Sequence, residues 1–335
     1  MKFTISETQL PFNTERSIQQ ITLSNGRLTI VVHDFGARLH QLFAPDRNGK
    51  FENILLSKND SESYIYDNGY YGAICGPVAG RIAGAAYDSI RLEANEGQNL
   101  LHSGSQGWER QFWSYETFQT EQSVGITLTL TDEISGFPGP IEASVTYELV
   151  DDRLSVEMTG LSATDSLFNP ALHPYFNLSA DHETTLNHEI QVSANRVAET
   201  NDENIPTGRL LTVDGSVYDL RKSIKISRIL EEKADGFDDC FVFPEDSEEN
   251  ELILYEPKSG RKLIGRTDRK SVVIYTATNP ETESLVNDRI MSANRGIAIE
   301  FQELPDSVHH PDWPSTRILA GEKKKFRSDY RFTVE

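Results

Sequence analysis

Cysteine is nearly absent from this chain of 335 residues, in which only Cys75 and Cys240 occur. Two cysteines cannot form a disulfide framework, and no cluster of cysteine and histidine has the spacing of a zinc site. A chain of this length can bury a large core, so its folding requires no disulfide or structural metal. The composition is that of an ordinary globular protein, and neither a metal nor a cofactor is expected.

Long apolar runs and positive charge are also scarce. No apolar stretch reaches the roughly 18 residues of a membrane-spanning helix, and the start, "MKFTISETQLPF", lacks the apolar segment of a secretory signal. The chain has 32 Lys and Arg against 52 Asp and Glu, a formal net charge of -20. Nucleic acids and anionic membranes need a basic surface, so neither is an expected partner. We expect a cytoplasmic monomer or homodimer.

Alternation of apolar and polar residues dominates the sequence. In "GITLTLTD", Ile126, Leu128 and Leu130 alternate with threonines, and "SVTYELV" and "RLSVEM" have the same period of two. This period is typical of strands in antiparallel sheets with one buried face. Asp151-Asp152 is placed for a short hairpin, and Asn25-Gly26 is a turn dipeptide.

Helical patterns are few, and "SIKISRILEE" is the best short candidate. No repeat of fixed period and no flexible linker divides the chain, and the acidic stretch at 245–250 is interpreted as a solvated loop. The sequence therefore predicts a single all-β domain over 1–335. Its expected architecture is a large antiparallel β-sandwich of two stacked sheets with few short helices.

Two early stretches contain polar groups that a plain sandwich does not need. "YGAICGPVAGRIAGAAY" combines small residues with one cation, Arg81, which can bind oxygen atoms or lie on the surface of a packed turn. "NEGQNLLHSGSQGWERQFW" contains His102, which can be structural or can bind a ligand. Trp108 and Trp113 in that stretch can stack on a sugar or fill the core.

Two later stretches raise the same choice. In "NPALHPYFNLS", Pro174 restricts His173 to an extended backbone, which suits either a buried structural histidine or a general acid that must be aimed. In "GIAIEFQELPD", Ala298, Glu300 and Gln302 share one strand face. That face is either exposed to solvent or the floor of a concave site with a carboxylate on it.

Together and in this order, these stretches resemble the aldose 1-epimerase family, also called galactose mutarotases. The matching segments are "GRIAG", "LLHSGSQGW", "LHPYFNLS", "DDCFVF" and "IEFQELPD", and the ending "PSTRILAGEKKKFRSDYRF" is similar to the family's closing strands. The chain departs from the family pattern at Pro77, Gly80, Ser103 and Phe301, where the resemblance leads us to expect Arg, Asn, Gly and Thr.

The resemblance implies a β-sandwich with a sugar cleft and a cofactor-free exchange of the α and β anomers of free hexoses such as galactose or glucose. It implies that Glu300 is the base that takes the C1 hydroxyl proton and that His173 is the acid that protonates the ring oxygen. The implied substrate-binding residues are His102, Arg81, Asp238 and Tyr175. The register of the family's Asp-x-x-Phe segment selects Asp238 over its neighbour Asp239.

Three alternatives stay open at this point. A hexose-6-phosphate 1-epimerase needs a cluster of cations, whereas the motifs supply mainly Arg81. A glycosidase would use Asp238 and Glu300 as its pair of carboxylates and would cleave a disaccharide. A non-catalytic sugar-binding protein would bind a sugar without accelerating anomer exchange.

Overall fold

The computed structural model describes residues 2–245, 250–280 and 285–335. The interpretation of 245–250 as a solvated loop falls largely on 246–249, which lie outside the described residues. The strands of the first half of the described chain are β1 Thr4–Pro11, β2 Ser17–Ser24, β3 Thr29–His33, β4 Arg38–Pro45, β5 Phe51–Asn53, β6 Ile74–Cys75, β7 Arg81–Ile82, β8 Ala86–Tyr87, β9 Ile90–Arg91, β10 Leu100–Leu101, β11 Ser114–Gln119, β12 Ser123–Asp132, β13 Ile141–Val150, β14 Arg153–Ser162, β15 Ser166–Leu167, β16 Ala171–Leu172 and β17 Tyr175–Phe176.

The strands of the second half are β18 Glu189–Val192, β19 Arg196–Thr200, β20 Pro206–Thr212, β21 Ile224–Lys225, β22 Asp238–Val242, β23 Asn250–Tyr255, β24 Arg261–Thr267, β25 Ser271–Tyr275, β26 Leu285–Val286, β27 Arg289–Ile290, β28 Ile297–Gln302, β29 Arg317–Ile318 and β30 Lys323–Val334. Within the described ranges α1, Ile226–Glu232, is the one α-helix, and the short 3₁₀ turns are Glu62–Tyr64, Ala83–Ala85, Gly104–Gln106, Trp108–Arg110 and Ser307–His309.

Three larger sheets contain most of these strands. The first has the order β1-β2-β3-β4-β5, the second β11-β12-β13-β14-β30-β24-β23-β18-β21, and the third β17-β28-β25-β22-β19-β20. The strand pairs within them are antiparallel. The expectation of an all-β antiparallel fold with few helices is confirmed, while the single-domain boundary 1–335 stays a prediction.

The alternation read from the sequence matches the burial of the strands. Strand β13 buries every second residue, and β12 pairs with β13 and β13 with β14 along their whole lengths. The predicted turns are present: Asp151 has φ 52° in the hairpin, and the Asn25 side-chain carbonyl accepts the Leu28 backbone N–H at 2.8 Å. The predicted helix is α1, which buries Ile226 and Ile229 on one side.

One apolar core joins the inner faces of these sheets. Val145 and Leu149 of β13 belong to the same buried cluster as Ile299 and Phe301 of β28. Burying a large apolar side chain contributes about 1.5–3 kcal/mol, so these faces fix the register of β28 strongly. Trp108 lies in this core together with Trp113, so both tryptophans fill the interior and neither stacks on a sugar.

No helix in the described part of the chain is both long and apolar enough to span a bilayer.

Candidate active site

A cavity of about 560 Å³, here called the cleft, lies on the face of the third sheet opposite the core. All six residues proposed from the resemblance line it: Arg81, His102, His173, Tyr175, Asp238 and Glu300. They come from segments far apart in sequence, so only the fold brings them together. If each stretch were only a packed turn, a structural histidine or an exposed strand face, there would be no reason for these six side chains to meet in one cavity.

Strand pairing places the two carboxylates on the cleft face. Glu300 is opposite Val273, and Val273 is opposite Cys240, so these three side chains share one face of the sheet. Asp238 lies two residues before Cys240 on the same face. All six residues of β28 are buried, so its polar side is the floor of the cleft and is not exposed to solvent.

His173 and Glu300 are in direct contact on that floor. The Nε2 atom of His173 lies 3.3 Å from Oε1 of Glu300, and their side chains are 5% and 4% exposed. The other Glu300 oxygen, Oε2, accepts a 3.4 Å hydrogen bond from Nε2 of Gln302. His173 also bonds through its backbone, donating its N–H to Ala73 and accepting the N–H of Gly72. The imidazole is thus held beside the carboxylate by both its ring and its backbone.

Burial shifts the pKa values of both Glu300 and His173 away from their usual values. It raises the pKa of Glu300 well above 4.5; the negative charge of Asp238 raises that pKa further, and Arg81 lowers it. Burial lowers the pKa of His173 to about 4. When the pair holds a single proton, both shifts favour its place on Glu300, next to a neutral imidazole.

His102 lies beside His173 and Glu300 in the cleft and can act there as a hydrogen-bond donor. Its Nδ1 atom accepts the backbone N–H of Gly80 at 3.2 Å, so the neutral ring carries its proton on Nε2. Burial lowers the pKa of His102 well below 6.5, which keeps the ring neutral. Donor atoms of His102, His173 and Glu300 lie within 4.8 Å of one another, close enough for a metal ion. The His102 tautomer fits a metal poorly, because Nε2 then has no free lone pair.

Arg81 is held by two carboxylates. Its Nε and Nη2 atoms donate to the two Glu96 oxygens at 2.6 and 2.9 Å, and its Nη1 lies 3.6 Å from Oδ2 of Asp238. Arg81 therefore bridges the cleft floor to the turn that contains Glu96. The sequence did not single out Glu96, since an acidic residue in a turn has no distinguishing pattern.

Aromatic rings form the wall behind the two histidines. The Tyr175 ring centroid lies 5.0 Å from that of His173, and the Tyr70 ring lies 4.5 Å from that of His102 and 5.8 Å from that of His173. Tyr175 is 5% exposed, so it contributes mainly to this wall. Tyr70 was not predicted from the sequence, and its place beside the small-residue stretch was the one available signal.

A buried ion cluster builds the turn that presents Tyr70. The Asp67 carboxylate accepts the backbone N–H groups of Gly69 and Tyr71 at 2.9 and 3.2 Å. The same carboxylate pairs with Arg38 at 3.2 Å and Lys58 at 3.5 Å, and all three side chains are 1% exposed. Tyr70 has φ 56°, a left-handed backbone that this network holds in place.

The outer end of the cleft contains a second ion pair. Lys233 Nζ lies 3.5 Å from Oδ2 of Asp239, and both residues line the cavity with Tyr218. Asp239 neighbours Asp238 but points to the other face of β22, beside Phe241 and opposite Ile274. Asp238, and not Asp239, therefore shares the sheet face of Glu300, while its role in binding a sugar stays a prediction.

The chain matches the Aldose 1-epimerase family model over residues 19–331. It is 32% identical over 330 residues to an aldose 1-epimerase from Streptococcus thermophilus, which covers 94% of each chain. It is also 28% identical over 332 residues to a maltose epimerase from Levilactobacillus brevis, covering 95% of this chain and 96% of the relative.

The chain belongs to the aldose 1-epimerase family. It is accordingly an isomerase. A galactose 1-epimerase structure from Lactobacillus acidophilus superimposes with a TM-score of 0.88 at 24% identity, covering 99% of both chains. That likeness confirms the fold expected from the resemblance.

Three of the four departures from the aldose 1-epimerase pattern have local structural accounts. Gly80 has φ 74°, and a Cβ atom there would lie 2.9 Å from Pro305, so the close approach favours glycine. Ser103 has φ 67°, and its hydroxyl compensates by bonding Val78 N and O at 3.0 and 2.9 Å. Phe301 points into the core. Nothing in the structure explains Pro77.

Proposed function

We propose that this protein interconverts the α and β anomers of free hexoses such as galactose or glucose by general acid–base ring opening. The observation that carries the proposal is the contact between Glu300 and His173, 3.3 Å apart and buried on the floor of a cleft of about 560 Å³. A carboxylate and an imidazole in these positions can exchange protons with the two oxygens bonded to C1 of an aldose. Those oxygens are the C1 hydroxyl and the ring oxygen.

The chemistry requires Glu300 to be ionised while His173 is protonated. A single proton on the pair is favoured on Glu300, because burial raises the pKa of Glu300 and lowers that of His173. Transfer of that proton to His173 across the short contact produces an ionised base and a charged acid together. The sugar's ring oxygen then lies against a donor, and its C1 hydroxyl against an acceptor.

In the reaction, Glu300 takes the C1 hydroxyl proton while His173 donates its proton to the ring oxygen. The bond between C1 and the ring oxygen breaks, and the electron pair of the C1 oxygen forms the aldehyde. Rotation about the C1–C2 bond exposes the other face of the aldehyde. The reverse proton transfers then close the ring as the opposite anomer and restore both side chains.

The remaining cleft residues hold the sugar in place. The Nε2–H of His102 and the guanidinium of Arg81 donate to sugar oxygens near the anomeric centre, while the Asp238 carboxylate accepts from ring hydroxyls. Tyr175 closes the cleft beside His173 and excludes water from the proton-transfer contact. The names of the relatives, aldose 1-epimerase and maltose epimerase, support a free reducing sugar as substrate.

Polarimetry tests the proposal directly. The optical rotation of freshly dissolved α-galactose and α-glucose should relax faster with protein than in buffer, and Glu300→Gln at equal concentration is the matched control. Incubation with maltose should leave the glycosidic bond intact, whereas its cleavage would indicate a glycosidase. Tight sugar binding with no acceleration would indicate a non-catalytic sugar-binding protein and would contradict the proposal.

A further inference from the structure

Both cations that line the cleft are already paired with carboxylates. Arg81 donates two hydrogen bonds to Glu96 at 2.6 and 2.9 Å, and Lys233 lies 3.5 Å from Asp239. The bidentate geometry uses the Nε/Nη2 edge of the guanidinium, one of the two edges that could otherwise bind a phosphate or carboxylate. The charge of each cation in the described lining is therefore offset by a carboxylate, and the end of Arg81 that Glu96 leaves open has its Nη1 atom 3.6 Å from Asp238.

The cleft keeps an excess of negative charge after these pairings. Besides Glu300, whose pair with His173 is neutral when it holds one proton, two cations and four carboxylates line it among the described residues, and these carboxylates are Glu96, Asp235, Asp238 and Asp239. An anionic group entering this cavity would meet this excess of carboxylates, while both cations there are already offset by carboxylate partners. Charges near a protein surface act strongly at such short range, and salt weakens the interaction.

We infer that Glu96 is a specificity-determining residue that excludes anionic sugars, such as uronates and hexose 6-phosphates, by neutralising Arg81. Neutral sugars and cationic amino sugars remain acceptable. The inference rests on the proposed function, because it names the class of sugar that the same site accepts. It also gives the Arg81–Glu96 pair a role beyond holding the turn.

Glu96 can be changed without disturbing the core. Its side chain is 39% exposed, and its turn is closed by backbone hydrogen bonds with Asn99 in both directions. Asn95 fixes the same turn by accepting the N–H of Leu101 at 2.7 Å. Glu96→Gln keeps the shape and removes one charge, which frees the Arg81 guanidinium to bind an anion.

Three sugars that share the galactose ring test the inference: α-galactose, α-galactosamine and α-galacturonate, which are neutral, cationic and anionic. For the wild type at about 0.01 M salt we expect kcat/KM for galacturonate to be roughly tenfold or more below that for galactose. The gap should narrow as salt approaches about 1 M, where charges are screened within a few ångströms. Galactosamine should show the opposite salt dependence.

Glu96→Gln should raise the ratio of galacturonate to galactose kcat/KM by about tenfold at low salt. The matched control is Glu121→Gln, which removes the same charge from the exposed turn between β11 and β12 and should leave the ratio unchanged. An equal effect of the two variants would refute a role for Glu96, as would a wild type equally active on galactose and galacturonate. If the wild type fails to accelerate even galactose, the proposed function itself fails, which is a separate result.

Discussion

Replacing Glu300 by glutamine should abolish most of the activity while strengthening the fold at neutral pH. The amide has nearly the shape of the carboxylate and can keep the 3.4 Å contact with Gln302, but it cannot accept the C1 proton. General acid–base catalysis contributes roughly 10²- to 10⁴-fold. The expected loss in kcat corresponds to about 2.7–5.4 kcal/mol of transition-state stabilisation.

Glu300→Gln should stabilise the fold increasingly as the pH rises. Because burial raises the pKa of folded Glu300 above its usual 4.5, its contribution to stability is fully present below about pH 4.5. That contribution is lost as the pH rises through the raised pKa, since the unfolded chain ionises more readily. Glutamine has no charge to bury, so Tm of the variant relative to the wild type should increase with pH.

Two assays on the same samples check both effects. Polarimetry of α-galactose gives kcat, and thermal unfolding at several values between about pH 4.5 and 8.5 gives the difference in Tm. A variant with near-wild-type kcat would remove Glu300 from its role as the base. A Tm difference that stays constant over this range would show that Glu300 has the same pKa in the folded and the unfolded chain, and would contradict the raised pKa.

Four further outcomes are expected. His173→Ala should lose a similar 10²- to 10⁴-fold in kcat with sugar binding partly retained; full activity would point to His102 as the acid. Asp238→Ala should raise KM by roughly tenfold to a hundredfold, from about 1.5–3 kcal/mol per hydrogen bond to a charged group; a larger KM increase for Asp239→Ala would contradict the assignment. Wild-type kcat should fall at high pH, because deprotonation of Glu300 removes the proton that its pair with His173 shares; a rate that keeps rising with pH would exclude this. The rate should survive EDTA and dialysis, whereas loss with EDTA and recovery with a divalent ion would establish a metal.

The strands and their faces could be predicted because their signals are local. Alternation in β12, β13 and β14 marks which side chains are buried, and the turn dipeptides mark where the chain reverses. The role of the polar face of β28 could not be derived in this way. Alternation shows that the side chains of Glu300 and Ile299 point to opposite faces of the sheet. Whether the face of Glu300 meets solvent or a cleft depends on the segments that pack around it.

The site was predictable from the family resemblance only for residues inside its motifs. Glu96 and Tyr70 act through partners distant in sequence, Arg81 and the two histidines, so no local pattern marks them. The contact of His173 with Glu300 was also not foreseen. The resemblance implies that the imidazole faces the sugar's ring oxygen, which stays a prediction, and in the structure its Nε2 atom lies 3.3 Å from Oε1 of Glu300.

Because Glu300 lies within a sheet, its position determines how the site behaves when the protein unfolds. Strand β28 lies between β17 and β25, and its side chains anchor in the main core. Amides paired in such a strand exchange with solvent mainly through global opening. Glu300 is therefore not on a segment that can melt alone, and we expect activity to decline along the same denaturation curve as the fold. Residual turnover would then measure the folded fraction, so a polarimeter could serve as a conformational probe.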